Sequence, residues 1–207
     1  MTSRPAVRLC QALAGLVAPL VLAALIAGLT IVQRTYLDST GWSPVSRNPV
    51  QWPSVMLFGP GGSLLSAGFI GVGLLTIWFA MGWWSRESRS ARLIVASLTV
   101  LGLALMVMAV PPNPAAVVDW HNLVYPAIPI SWVCFVLAHI SFSRGDPRWG
   151  CTAKISKYFV LPAFLVSLLS TRLDAVAQLA RFSVFAIQMG WIVVLAIRQI
   201  AILRRDS

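Results

Sequence analysis

Residues 12–32 read ALAGLVAPLVLAALIAGLTIV, twenty-one residues in which Thr30 is the only polar side chain and no charge occurs. A bilayer hydrocarbon core of about 30 Å takes roughly 20 such residues as one α-helix. Arg4 and Arg8 precede the run as they would precede a signal peptide. The run outlasts the ~7–15 apolar residues of a secretory h-region, so it reads as a retained membrane anchor.

Outward from that stretch the chain repeats the pattern. Apolar runs bounded by charge or proline predict spans near 10–33, 61–83, 92–110, 121–142, 157–171 and 179–203. The expected fold is therefore all-α: a polytopic membrane protein, one domain over residues 1–207, folded as a six-helix transmembrane bundle. At 157–171 the helix would rise only about 22 Å, which demands a thinned bilayer or a snorkelling Arg172. The whole chain agrees, with 207 residues that are 58% hydrophobic and 11% charged and a mean hydropathy of +0.80. That excludes an ordinary soluble domain and a disordered chain. Three cysteines, Cys10, Cys134 and Cys151, exclude a disulfide scaffold.

With a cytoplasmic N-terminus, six spans return the C-terminus to the cytoplasm and leave only Arg34, Arg47, Arg172 and Arg181 outside, against twelve Lys and Arg inside. The positive-inside rule supports that orientation and accounts for most of the net charge of +10 without nucleic acid. Anionic membrane lipids are the expected partners of the inner arginines. Trp42 and Trp52 outside, and Trp83, Trp84 and Trp149 inside, fall where interfacial indoles anchor spans. Small residues four apart, Ala14/Ala18, Ala24/Gly28 and Ala67/Gly71, are spaced for close helix contact. Pro19, Pro126, Pro129 and Pro162 fall within spans and are candidate kinks.

No phosphate-binding loop, dinucleotide fingerprint, zinc motif or serine-nucleophile elbow occurs, so no cofactor and no metal is expected. His121 and His139 lie eighteen residues apart on one predicted helix, roughly 27 Å, too far to share a ligand. His139 is expected at the cytoplasmic interface.

The outward loops hold more. They gather Arg34, Asp38 and Arg47, then Asp119 and His121, and then Arg172, Asp174 and Arg181. Solvated loops with a few ion pairs would explain such groups, but His121 and Arg181 open apolar spans, where an ionisable group is costly unless it pairs or works. Gln188 follows Arg181 by seven residues and extends the polar face about 10 Å inward. This suggests a pocket open to the outer leaflet, the alternative being a glutamine bonded to a neighbouring helix. The first loop, near 34–60, carries Pro44, Pro49, Pro53 and Pro60 and reads as a lid over the bundle.

Four short elements, Val110-Pro111-Pro112-Asn113-Pro114, His121, Asp146-Pro147-Arg148-Trp149 and Arg181, give the chain a resemblance to a bacterial six-helix membrane family known as a domain of unknown function, number nine-nine-eight. The resemblance runs from about the first span to Arg198. Members usually carry an aspartate in the proline turn, where this chain has Asn113. It implies six helices in a bacterial inner membrane and no established activity.

Three functions follow as expectations. The first is a non-enzymatic protein, an accessory or transporter-like component, binding a lipid, isoprenoid or other amphipathic molecule. In it Arg181 and Arg172 hold an anionic headgroup, with His121, Gln188 and Asp38 as further ligand-binding groups. The second is a membrane enzyme on a lipid or prenyl substrate, similar to terpene cyclases, with Asp119 or Asp38 as acid and His121 as base. The third is a structural partner in a homo-oligomer or larger membrane complex.

Overall fold

A computed structural model describes residues 5–42, 53–84, 88–111, 120–171, 173 and 176–206, with the backbone alone at His121, Asn122 and Gln178. The described residues are helical and contain no strand. In chain order the helices are α1 (Pro5–Val32), α2 (Arg34–Ser39), α3 (Gly62–Met81), α4 (Arg89–Val107), α5 (Trp120–Val124), α6 (Ala127–Phe142), α7 (Gly150–Ile155), α8 (Leu161–Ser170) and α9 (Ala177–Arg205).

Five helical runs are long and apolar enough to cross a membrane: Pro5–Val32, Gly62–Met81, Arg89–Val107, Pro147–Ser170 and Leu179–Arg205. α6 is apolar but shorter, at 16 residues. It is separated from α5 at Tyr125-Pro126, because a proline disfavours helical backbone in the residue before it. Pro129 then falls in the first turn of α6, where its missing N–H costs nothing. α1 runs through Pro19 without a break.

The fifth run differs from the expected 157–171. It starts ten residues earlier, at Pro147, and proceeds through a 3-10 turn, α7 and a π-helical segment at Ser156–Val160 before α8. The π segment sits immediately before Leu161-Pro162, and its wider turn relieves the clash a proline ring makes with the carbonyl four residues back. The longer run removes the need for a thinned bilayer at this span.

Around the bundle α1 lies between α3 and α9, α3 packs on α4, α4 on α6, and α8 on α9. Trp132 of α6 meets Phe164 of α8 with ring centroids 4.2 Å apart, which closes the ring. Gly82 lies against both Gln11, near the start of α1, and Gln199, near the end of α9. The two ends of the described chain therefore share one end of the bundle, called here the terminal end. The opposite end carries α2, a 3-10 turn at Ser54–Phe58, α5 and the α8–α9 junction.

Packing corrects two expectations. Trp42, Trp83 and Trp149 are not interfacial anchors but among the largest fully or almost fully buried side chains, whereas Trp84 is exposed; Trp52 lies outside the described residues. Of the small-residue pairs, Ala14/Ala18 is buried, and Gly15 beside it lies hard against the Phe79 ring of α3. Ala24, Gly28 and Ala67 instead face outward.

Candidate functional site

At the opposite end the ring of helices encloses a cavity of about 110 Å³ between α3, α4, α6, α8 and α9. Its walls come from Phe69, Leu105, Ile128, Leu168, Phe185 and Met189. Pro53, which leads into the 3-10 turn, also lines it. Within that turn Met56 is fully buried, and the Val55 carbonyl accepts a long bond from the Tyr36 hydroxyl at 3.4 Å. The described part of the first loop thus lies over the bundle, while residues 43–52 fall outside the described residues.

Two polar side chains on α9, Arg181 and Gln188, line this cavity. Seven residues are close to two helical turns, so both project to one side of α9, about 10 Å apart along its axis. Thr171 and Tyr125 add hydroxyls near the Arg181 end, where α8 finishes and α6 begins. The Thr171 hydroxyl donates to the Leu168 carbonyl at 2.6 Å.

Gln188 lies deeper. It is 4% exposed and its Nε2 has no hydrogen-bond partner. A buried amide donor left unpaired costs about 1–3 kcal/mol; among the described residues Gln33 Nε2 is another, but Gln33 does not line this cavity.

Of the other expected site residues only Asp38 has a described side chain, and it does not line this cavity. Asp38 pairs with Arg34 one turn earlier on α2, Nε to Oδ1 at 2.9 Å, with both side chains more than half exposed. Asp119, Arg172 and Asp174 lie outside the described residues, as does the proline turn at Pro112, Asn113 and Pro114. His121 belongs to α5 by its backbone. The hydroxyls of Thr171 and Tyr125 were missed by sequence reasoning; their only sequence signal is that each stands at the end of an apolar run.

At the terminal end a second cluster overturns the interfacial expectation for His139, which is completely buried. Residues 132, 135, 139 and 142 form the inward stripe of α6, and the imidazole lies on it. Its ring meets Trp83 and Trp149 edge to face, with centroids 6.3 and 5.6 Å away. The Thr152 hydroxyl donates to the Trp149 carbonyl at 2.8 Å. It is thereby left to accept from His139 Nε2 at 3.4 Å, while the Ser156 hydroxyl donates to Nδ1 at 3.5 Å. The histidine ties α6 to α7 and the π segment.

Asp146-Pro147-Arg148-Trp149 belongs to the same construction. Asp146 Oδ1 caps the 3-10 turn by accepting from the Arg148 backbone N–H at 3.2 Å, and Pro147 opens that turn. Arg148 pairs with Asp146 at 2.9 Å and with Asp206 beyond α9 at 2.8 Å. Arg198 Nε donates to the Arg148 carbonyl at 3.0 Å, and Trp149 packs on Trp83 at 4.8 Å between centroids. The motif is a clasp that holds the α6–α7 connection to α9. Among the described residues, no group of three or more His, Cys, Asp or Glu is arranged to hold a metal ion, and Cys10, Cys134 and Cys151 are free and exposed.

Among known families, one described as a protein of unknown function (DUF998) matches residues 36–198. The match begins at Tyr36, so α1 precedes it, and it contains both the Asp146–Trp149 clasp and the cavity on α9. No curated protein and no solved structure matches the chain.

Proposed function

Since the chain belongs to this family of unknown function, DUF998, and is a multi-pass membrane protein with five helices able to span a bilayer, we propose that it is a bacterial inner-membrane protein that binds an amphipathic small molecule. The cavity on α9 takes a lipid, an isoprenoid or a similar compound, and the protein acts as an accessory or transporter-like component. One observation carries this reading. An almost wholly apolar cavity presents a guanidinium, Arg181, two turns from a buried amide with an unused donor, Gln188.

The chemistry of these two groups favours binding over catalysis. A glutamine amide and a guanidinium are hydrogen-bonding groups, not proton-transfer or nucleophilic ones. Arg181 suits an anionic headgroup close to the membrane surface. Ten of the twelve described lysines and arginines lie toward the terminal end, against Arg34 and Arg181 at the other. By the positive-inside rule this supports a cytoplasmic terminal end and a cavity near the outer leaflet.

Native mass spectrometry of the detergent-purified protein tests the reading. One defined lipid or isoprenoid is expected on the wild type, with its occupancy reduced in Arg181→Ala and in Gln188→Leu. The same bound lipids on all three proteins, or none on any, would refute it.

A further inference from the structure

The Gln188 amide lies about two helical turns deeper than Arg181 and is 4% exposed, with its Nε2 unpartnered. A water molecule would be a poor partner there. Buried waters are held by two to four polar groups, and apart from Gln188 the cavity's only polar lining side chains are Arg181, Thr171 and Tyr125, which stand at or near helix ends. Arg181 cannot supply the missing acceptor either, because a guanidinium is only a donor. What satisfies the site is an acceptor oxygen carried in by an otherwise apolar molecule.

Resting on the binding function proposed above, we infer that the occupant of the cavity bears a neutral hydrogen-bond acceptor oxygen, a carbonyl above all, on a compact apolar framework, and that Gln188 Nε2 is the donor that selects it. A carboxylate or phosphate would have to be desolvated two turns into the bundle, which disfavours charge at Gln188 and reserves it for the Arg181 end. The cavity of about 110 Å³ is somewhat smaller than an apolar cavity of about 150 Å³ that admits benzene. The buried group is therefore no larger than a single ring or a short branched segment, and a longer chain must leave toward Arg181 or between helices.

The shared chemistry, a carbonyl in an apolar frame, has two sources: the acyl ester of a bilayer lipid, or a separate small ketone or ester. Both satisfy the geometry, and the choice of bilayer separates them.

The experiment uses the full chain in phosphatidylcholine nanodiscs and a matched pair of probes followed by fluorine NMR. The pair is a ring-fluorinated cyclohexanone and the fluorinated cyclohexane that has CH2 in place of C=O. After correction for partition into protein-free discs, wild type is expected to bind the ketone about tenfold more tightly than the hydrocarbon, the scale of one buried hydrogen bond. Gln188→Leu should lose that preference and take the hydrocarbon at least as well. Gln188→Met, closer in length, serves if the leucine variant does not fold.

Equal affinity for the two probes in wild type, or a preference that survives both substitutions, overturns the role of Gln188 while leaving an amphipathic cavity standing. Absence of saturable binding of either probe to any of the proteins overturns the cavity reading itself, and this inference with it. In discs of ether-linked lipid, which has no acyl carbonyl, a tighter ketone affinity identifies the lipid ester as the resident acceptor. An unchanged affinity identifies a separate small molecule. Both of these results uphold the acceptor class.

Discussion

Gly73 of α3 and Gly102 of α4 meet backbone to backbone: a Cβ at Gly73 would lie 2.5 Å from the Gly102 carbonyl oxygen, and a Cβ at Gly102 would lie 2.6 Å from that of Gly73. The crossing brings the α3 and α4 backbones into close contact, with no room for a side chain at either glycine, and both helices contribute walls to the cavity through Phe69 and Leu105. In a bilayer, where apolar burial does not drive helices together, such contact is what van der Waals packing can use.

A methyl group at that crossing should be felt. Gly73→Ala or Gly102→Ala should destabilise the protein by about 1–3 kcal/mol through overpacking, read as a lower midpoint of thermal unfolding in detergent. Gly28→Ala and Gly71→Ala should match or slightly exceed wild type, since nothing lies within 4 Å of a Cβ at either position and alanine favours helix. Equal stability of all four variants would mean that the crossing is looser than described.

His139→Ala should lower stability by about 2–4 kcal/mol, because it opens a void among Trp83, Trp149 and Phe142 and strips the Ser156 hydroxyl of its acceptor. His139→Phe fills the volume and should recover part of the loss. A histidine at a membrane interface would show neither effect, so chemical unfolding of the two variants separates the positions.

Within the Asp146–Trp149 clasp, weight should be uneven. Trp149→Ala removes a fully buried indole and should cost about 3–5 kcal/mol. Arg148→Ala breaks two ion pairs of a half-exposed side chain and should change stability by no more than about 1 kcal/mol. Unfolding midpoints of the two variants give the comparison, and a larger loss at Arg148 would contradict it.

Gln188→Leu should raise the stability of the ligand-free protein by about 1 kcal/mol, since it replaces an unpaired buried donor with an apolar group. Thermal unfolding of delipidated protein would show this. A loss of stability would reveal that the wild-type amide already has its partner.

Asp38→Ala should leave ligand occupancy unchanged and shift stability by less than about 0.5 kcal/mol, the scale of an exposed pair four residues apart on a helix. Reduced lipid occupancy in this variant, read by native mass spectrometry, would return Asp38 to the site.

Some of this was legible in the residues alone. Arg181 and Gln188 are seven apart on an apolar run, which is enough to predict a common face, and they do line one cavity. Which helices complete that cavity was not legible, because Phe69, Leu105 and Leu168 are indistinguishable in sequence from their lipid-facing neighbours Ile70, Leu103 and Leu169. Charge counting likewise put His139 among interfacial residues. Its burial depends on Trp83, far earlier in the chain, and on Trp149, just across the α6–α7 connection, which come together only when the ends of α3, α6 and α7 pack.

By itself, then, the sequence determined what local composition can determine: helices throughout, a chain destined for the membrane, and a basic excess in alternate loops. The tertiary structure alone decided which face of each helix is packed, which tryptophans are core, and that Gly73 and Gly102, rather than the small-residue pairs four apart, make the close α3–α4 crossing. The physical reason is the solvent. In water a core face stands out as apolar against a polar one, whereas in a bilayer both the packed face and the lipid face must be apolar, and periodicity no longer says which is which.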